Sequence, residues 1–339
     1  MNKIKRHQRF GLYCGFIILL SGLVFLSCNA TKRGKWQLVH EYNSAHAAPI
    51  DPVFFDNNGE GWVLTWGEVY KVRAQGRTWT PVLTSVDAER AFYSLTFRTA
   101  EIGFVVGTQK KSDGHTVMIL QTSDGGRTWQ DRTTDIRPET DWRRAPALHS
   151  ITFCGDTNGW AVGGNLILHT IDGGQTWQTQ QSNVNGDDRL FTVACASPER
   201  AWAAGTGGLM LRTSDAGATW RRQEMGTTDA LMRVRFFGTN GWIVGGTSGK
   251  GIVFRTTDGE TWQPQQLPIT KALWFDVFFR GTHGWIAGEA GTILHSADSG
   301  QTWAQEQVPT TENLTSIFFL SANQGWAGGD KLTLLRFSE

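Results

Sequence analysis

Residues 150–177 read SITFCGDTNGWAVGGNLILHTIDGGQTW, and the parts of this stretch recur along the chain. Its second half is an apolar run that leads into a Thr-x-Asp-x-Gly-x-Thr-Trp sequence, from Thr170 to Trp177. An Asp side chain accepts hydrogen bonds from nearby backbone N–H groups and Gly tolerates positive φ, so this spacing predicts a tight turn between two strands. The Trp that ends the turn opens the next strand, where its ring can be buried between neighbouring sheets.

Both halves of the stretch are repeated. The other copies of the turn, one of them a residue short and one without the Asp, run from Thr122 to Trp129, Thr213 to Trp220, Ser296 to Trp303, Thr256 to Trp262 and Arg73 to Trp79. A Gly-aromatic pair, or Ala-Trp in one case, begins at Gly61, Gly103, Gly159, Ala201, Gly241, Gly284 and Gly325. An internal repeat near 40 residues is a better guide to the architecture than chain length alone.

The repeats predict an all-β fold, a seven-bladed β-propeller of four-stranded blades. In the quoted region the expected strands are 149–154, 160–163, 166–170 and 177–180. Seven Gly-aromatic pairs are accompanied by six turns, and Trp36 stands 43 residues before Trp79, one repeat length early. The N-terminal strand 36–40 is therefore expected to close the ring by completing the last blade, whose other strands lie within 314–337.

The tryptophans are expected to form the core. Thirteen of the 16 Trp occupy the two repeat positions, and burying roughly 150 to 250 Å² each yields a gross gain of about 4 to 6 kcal/mol apiece. We therefore interpret them as core rather than as carbohydrate-stacking platforms. The exceptions are Trp66, Trp142 and Trp274, of which Trp274 falls where other inner strands carry Leu and is predicted to be core.

The first 28 residues look like a lipoprotein-type signal peptide. They have a basic start, an apolar run from Gly11 to Leu26, and then Ser27 and Cys28, and this ending resembles a bacterial lipobox, in which the Cys is acylated. The run is shorter than the roughly 20 residues of a spanning helix. Residues 29–35 would be a short linker and 36–339 the propeller. The localisation expected from this is an exported, membrane-anchored lipoprotein that faces the periplasm or the thylakoid lumen; the alternative is an uncleaved signal anchor.

Charge and cysteine content limit the function classes. Without the leader, 28 basic and 31 acidic side chains remain, a net charge of −3, which argues against nucleic acid as a partner. No Cys or His cluster has metal-ligand spacing, and no cofactor is predicted. Cys154 and Cys195 fall at unequal register in adjacent repeats, so we interpret them as buried free thiols rather than as a bridge.

Two insertions indicate a working face. The interval from Phe104 to Trp129 is 25 residues instead of 17 to 20, and that from Trp129 to Trp160 is 31 instead of 22 to 26. The extra residues fall around 108–116, between the second and third strands of a blade, and 131–146, between this blade and the next. In an up-and-down blade both connections emerge on one face, here called the insertion face, while the Asp-bearing turns emerge on the other.

Loops elaborated on a rigid scaffold commonly carry binding. The partner-binding candidates on the insertion face are two aromatic and four basic residues, Trp66, Lys110, Lys111, Trp142, Arg143 and Arg144. The alternative is a merely solvated loop, because the acidic and basic side chains of 131–146 balance each other.

The turn motif resembles the Asp-box, or bacterial neuraminidase repeat, which sialidases, xyloglucanases and sortilin-type receptors share. The lipobox-like leader, the single seven-bladed ring and the final half repeat are most similar to the photosystem II stability and assembly factor family of cyanobacteria and chloroplasts, over roughly residues 36–339. This resemblance implies a non-enzymatic, membrane-tethered protein that holds a membrane-complex subunit, of the photosystem II reaction-centre type in a phototrophic host. It also implies an arginine-rich binding patch, for which Arg143 and Arg144 are the candidates.

An enzyme is the alternative function. A sialidase would require an Arg-Ile-Pro motif, and residues 136–138 read Ile-Arg-Pro, in the wrong order. A glycoside hydrolase needs two carboxylates across a cleft, and Asp51 and Asp276, in inner strands two blades apart, are the best available pair. An inner-strand carboxylate can equally be satisfied by backbone donors. An Asp-box glycoside hydrolase or a glycan-binding propeller therefore stays open as the second hypothesis.

Overall fold

The computed structural model describes residues 34–41, 53–56, 58–65, 67–85, 89–112, 114–133, 147–182, 184 and 187–338. Within these ranges no helix is both long enough and apolar enough to cross a membrane. The leader 1–28, with Cys28, lies outside the described residues, as do most of the linker and Asp51.

The described chain forms seven antiparallel sheets of four strands each, which confirms the predicted seven-bladed propeller. Blade 1 consists of β2 (Val53–Phe55), β3 (Gly61–Leu64), β4 (Glu68–Arg73) and β5 (Thr78–Thr84). Blade 2 consists of β6 (Arg90–Phe97), β7 (Gly103–Lys111), β8 (Gly114–Thr122) and β9 (Gln130–Asp131). Blade 3 consists of β10 (Ser150–Cys154), β11 (Asn158–Gly163), β12 (Leu166–Thr170) and β13 (Gln178–Gln180). The strands predicted for blade 3 agree with these to within two residues.

The remaining blades repeat the same order. Blade 4 consists of β14 (Leu190–Cys195), β15 (Ala201–Gly205), β16 (Met210–Thr213) and β17 (Arg221–Arg222), and blade 5 of β18 (Ala230–Phe237), β19 (Asn240–Thr247), β20 (Lys250–Thr256) and β21 (Gln263–Pro264). Blade 6 consists of β22 (Trp274–Arg280), β23 (His283–Gly288), β24 (Thr292–Ser296) and β25 (Ala304–Gln305). Blade 7 consists of β26 (Leu314–Ser321), β27 (Gln324–Gly329), β28 (Leu334–Ser338) and β1 (Lys35–His40). Short 3-10 turns lie at Ala74–Gly76, Thr206–Gly208, Glu289–Gly291 and Asp330–Leu332.

The Asp-box turns are closed by side chains, as the spacing predicts. In blade 3, Thr170 Oγ1 donates to Asp172 Oδ1 over 2.8 Å, and Asp172 Oδ1 and Oδ2 accept from the backbone N–H and the hydroxyl of Thr176 over 2.9 and 2.6 Å. Thr170 Oγ1 in turn accepts from the N–H of Gly174 over 2.9 Å. These four hydrogen bonds all lie within the eight residues of the turn, so they stabilise it locally.

The same turns join neighbouring blades. Trp62 Nε1, in the second strand of blade 1, donates to the carbonyl of Gly125 in the turn of blade 2, over 3.3 Å. Trp202 Nε1 donates in the same way to Gly259 O, over 3.0 Å. Gly259 has a φ of +73°, and a Cβ there would lie 2.3 Å from Trp202 Cζ2. Glycine is therefore required at this position for two reasons, the backbone conformation and the approach of the indole ring.

The tryptophans form the blade-to-blade core. All six Trp of the second strands are at most 1% exposed, and Trp274 is fully buried, as predicted. The Trp that end the turns are more exposed: Trp177, Trp220 and Trp303 are buried, whereas others of this set are only half-buried. Trp66 and Trp142 lie outside the described residues.

The N-terminal strand completes blade 7. β1 pairs antiparallel with β28, and Trp36 lies opposite Phe337. The Trp36 ring is 6% exposed and meets Phe319 edge-on at 5.7 Å and Phe337 at 5.3 Å between centroids. The outermost strand of the last blade therefore comes from the other end of the chain, as expected from the spacing of Trp36 and Trp79.

The interpretation of Cys154 and Cys195 as free thiols is wrong. The two residues form a disulfide, with Cα atoms 6.1 Å apart, between the inner strands of blades 3 and 4. Cys154 and Ser150 lie on the same face of β10, and the Ser150 hydroxyl contacts β14. Cys195 and Val193 lie on the opposite face of their own sheet, which is the face of β14 that is turned toward β10. Facing sides of adjacent blades are opposite faces of their sheets, so an offset of one residue in register is what lets the two sulfur atoms meet.

Candidate functional site

The insertion between the second and third strands of blade 2 is an extended β-hairpin rather than a loop. β7 and β8 each have nine residues, and their pairing continues to Lys110 opposite His115 and Lys111 opposite Gly114. The corresponding strands of blade 3 have six and five residues. The hairpin therefore extends beyond the neighbouring blade on the insertion face, with Lys110 and Lys111 exposed near its tip.

The second insertion begins and ends against this same hairpin. At its start, the N–H of Arg132 donates to Ile119 O over 2.8 Å, and Thr133 Oγ1 accepts from Ile119 N–H over 3.1 Å. At its end, the N–H of Leu148 donates to Gly107 O over 3.1 Å. Gly107 is in β7 and Ile119 in β8, so the connection leaves and returns at blade 2. Both insertions thus belong to one rim, here called the blade-2 rim.

The structure describes only part of the predicted site. Lys110 and Lys111 are on the blade-2 rim, where Lys110 N–H donates to Glu89 O over 2.7 Å and so ties the hairpin to the start of blade 2. Trp142, Arg143 and Arg144 fall in the connection whose two ends are anchored on the hairpin, and they lie outside the described residues. Trp66 also lies outside them, although its neighbours Thr65 and Gly67 are in the connection of blade 1 on the same face.

Sequence reasoning missed a row of rings beside this rim. Tyr93, His149 and Phe191 occupy equivalent positions near the starts of three successive inner strands and are half-buried. The ring centroids of Tyr93 and His149 are 4.9 Å apart, and those of His149 and Phe191 are 6.3 Å apart. Burial raises the pKa of Tyr93 and lowers the pKa of His149, so both rings are neutral at pH 7. The sequence could have indicated this row by position alone, since each of the three ring residues stands directly before a Ser or Thr of the repeat.

The carboxylate pair considered for a glycoside hydrolase is not assembled within the described residues. Asp276 is fully buried, and its two oxygens accept from Arg235 Nε and Nη2, over 2.9 Å each. They also accept from the backbone N–H groups of Val277 and Ile317, over 2.9 and 3.1 Å. These contacts account for Asp276 as a buried ion-pair acceptor. Asp51 lies outside the described residues.

Comparison with known families identifies the chain. Overlapping matches to a family model described as the photosynthesis system II assembly factor YCF48 cover residues 72–185, 178–273, 223–308 and 249–338. The chain belongs to this family of assembly factors. A search of curated proteins gave no match.

Solved structures share the fold. YCF48 bound to a D1 peptide is 22% identical, with a TM-score of 0.67, over 91% of this chain and 96% of that one. YCF48 from Cyanidioschyzon merolae is 19% identical, with a TM-score of 0.66, over 90% of this chain and 99% of that one.

Enzymes occur among the structural neighbours as well. Virginiamycin B lyase from Staphylococcus aureus is 14% identical, with a TM-score of 0.71, over 91% of this chain and all of that one. A GH74 enzyme from Niastella koreensis is 15% identical, with a TM-score of 0.68 over 89% of this chain, and this chain spans 53% of it. At such identities the likeness concerns the propeller fold alone.

Proposed function

We propose that this protein is a non-enzymatic assembly factor that binds a subunit of a membrane complex through the blade-2 rim. The observation that carries the proposal is that both insertions of the chain are anchored on one hairpin, β7–β8. Membership of an assembly-factor family supports the same reading. In a phototrophic host the partner class is a photosystem II reaction-centre subunit, in line with the relative whose structure contains a D1 peptide.

The chemistry of the rim suits a partner with acidic and aromatic groups. Lys110 and Lys111 supply two exposed positive charges, and Arg143 and Arg144 would add two more from the adjoining connection. The rings of Tyr93, His149 and Phe191, near the starts of three inner strands, offer a contiguous aromatic surface on the same face of the propeller. Charged rims mainly raise the association rate and select the partner, while buried aromatic contacts hold it.

The proposal includes export and tethering through an acylated Cys28. One acyl chain alone gives only marginal, reversible membrane binding, whereas two or more hold a protein firmly. Cys28→Ser should therefore move the protein from the membrane fraction to the soluble fraction while leaving its folding unchanged. Wild-type distribution of the Cys28→Ser protein would contradict the tether without affecting the binding proposal.

The binding test is crosslinking in native membranes followed by purification of the full-length tagged protein. We expect a membrane-complex subunit to copurify with the wild type and its recovery to fall about 10-fold for the double variant Lys110→Glu/Lys111→Glu, because opposing charges lose their attraction. Lys271→Glu, on the same face at blade 6, and Arg280→Glu, at the Asp-box end of β22, are the matched controls. Equal recovery with the double variant, or equal loss with both controls, would contradict the proposal.

A further inference from the structure

One position of the inner strands joins successive blades through a hydroxyl group. Ser150 Oγ of blade 3 accepts from the N–H of Val193 in blade 4, over 3.2 Å. Thr192 Oγ1 of blade 4 accepts from the N–H of Val234 in blade 5, also over 3.2 Å. A serine or threonine is therefore sufficient at this position to satisfy the backbone of the next blade.

Blade 5 departs from this pattern. The equivalent residue is Arg233, which like Thr192 follows the register shift of its strand, and a guanidinium cannot accept a hydrogen bond. Asp276 of blade 6 therefore accepts from two backbone N–H groups. Its Oδ1 accepts from Val277 N–H, the group that Arg233 cannot serve, and its Oδ2 accepts from Ile317 N–H in blade 7. The same carboxylate receives Arg235 through Nε and Nη2 and lies 3.4 Å from Arg233 Nε.

This ionic cluster of Arg233, Arg235 and Asp276 carries two positive charges against one negative charge. Buried ion pairs are generally no more stabilising than a well-packed neutral replacement, and at this strand position a hydroxyl group alone serves between blades 3 and 4 and between blades 4 and 5. The fold therefore does not require the additional guanidinium. Because Arg235 uses its Nε and Nη2 edge on Asp276, the N–H groups of Nη1 lie on the other edge, and its side chain is 31% exposed.

The exposed part of Arg235 borders a cavity in the central channel. The cavity has a volume of about 240 Å³ and follows the inner strands from the level of Ser150 to that of Phe237. Thr96 and Thr152 contribute hydroxyl groups on one side. On the other side Phe237, Phe278 and Phe318 form a continuous edge-to-face row, with centroids 5.5 and 5.2 Å apart. An apolar wall with a few convergent polar groups is the usual character of a small-molecule site.

We propose that the central channel binds a carboxylate joined to a small apolar group. The carboxylate pairs with Arg235 at its Nη1 edge, and the apolar group packs on the phenylalanine row. A cavity of about 150 Å³ holds benzene, so the present volume accommodates an aromatic ring together with a carboxylate. The carboxylate belongs to a free acid or to the C-terminus of a peptide. This site is separate from the blade-2 rim, so the inference goes beyond the proposed function.

Calorimetry on the full-length protein tests this site, with phenylacetate compared with the neutral phenylacetamide. We expect one-to-one binding of the acid, at least about 10-fold tighter than that of the amide, since a charge-assisted bond to a guanidinium is lost in the amide. A tripeptide ending in Phe, with a free or an amidated C-terminus, distinguishes the source. Binding of the free-terminus peptide but not of phenylacetate assigns the site to a chain end, and binding of phenylacetate assigns it to a free acid. Equal binding of acids and amides, or no binding of either, would overturn the proposal.

Two variants probe the site independently. Arg235→Gln should abolish the preference for the acid, and Thr96→Phe, which leaves the ionic cluster untouched, should fill the cavity and remove binding of acid and amide alike. Arg280→Gln, an exposed arginine at the end of β22, is the control and should bind like the wild type. Circular dichroism melting verifies that each variant is folded. An unchanged acid preference in Arg235→Gln together with unchanged binding in Thr96→Phe would contradict the assignment.

Discussion

At the scale of single residues, the Asp carboxylates of the Asp-box turns share one environment. Asp298 accepts hydrogen bonds from the hydroxyl and from the backbone N–H of Thr302, and a third from the hydroxyl of Ser296. The Thr302 hydroxyl contributes most, and together these bonds lower the pKa of Asp298 to about 2. The corresponding side chains with a pKa lowered to about 2 by bonds of the same kind are those of Asp124, Asp172, Asp215 and Asp258. In Asp172 these bonds outweigh a burial contribution that acts in the opposite direction.

This environment predicts how stability depends on pH. A carboxyl group whose pKa is about 2 in the folded state and near 3.9 in the unfolded state stabilises the fold above pH 4, and the contribution is lost as the pH falls from about 4 to about 2. We expect the urea midpoint to drop steeply in this interval. Asp172→Asn should lower the midpoint at pH 5 and make the pH dependence shallower, whereas Asp187→Asn, at an exposed position, should do neither. A midpoint that is constant between pH 4 and pH 2 would contradict the prediction.

The residues that recur were predictable, and those that do not recur were not. Trp160 and Trp177 occupy repeat positions, so their burial follows from a pattern seen several times in the chain. The rings of Tyr93, His149 and Phe191 share a position but no residue type, and the pairing of Arg235 with Asp276 occurs between blades. Such contacts depend on which blade faces which, and periodicity along one chain does not contain this information.

At the scale of elements, the inner strands β10 and β14 are joined covalently. The disulfide between Cys154 and Cys195 spans 41 residues of sequence. Comparing the two cysteines along the repeat gave unequal registers, which suggested that they do not meet. Across adjacent blades the same offset places them on facing surfaces, because successive side chains in a strand alternate between faces.

Removing the disulfide tests its contribution. Closing a loop of this length restricts the unfolded chain by about 4 kcal/mol in the chain-entropy model. The double variant Cys154→Ala/Cys195→Ala should therefore unfold at a lower urea concentration than the oxidised wild type, by up to this amount. A reducing agent should shift the wild type in the same direction and leave the double variant unchanged. An identical midpoint for the wild type with and without reductant, once both thiols are shown to be free, would contradict the prediction.

At the scale of the whole molecule, closure of the ring depends on contacts between the two ends of the chain. The Trp36 ring packs against Phe319 and Phe337 of blade 7, and the prediction of this strand from the spacing of two tryptophans was correct. Trp36→Ala should lower the free energy of unfolding by about 3 to 5 kcal/mol, since a large buried side chain is removed.

Leu38→Ala is the matched control, because Leu38 lies on the same strand with 42% of its surface exposed. Its effect should be below about 0.5 kcal/mol. Equal effects of the two substitutions in urea denaturation would mean that burial of Trp36 does not hold the ring closed.

Site-specific photo-crosslinking in native membranes tests most directly whether the blade-2 rim is the binding surface. A photoreactive phenylalanine analogue is placed at position 111, near the tip of the blade-2 hairpin, or at position 280, at the Asp-box end of blade 6. We predict a crosslinked membrane-complex subunit from position 111 and little from position 280. The same adduct from position 280 alone, or equally from both positions, would contradict the assignment of the blade-2 rim as the binding surface.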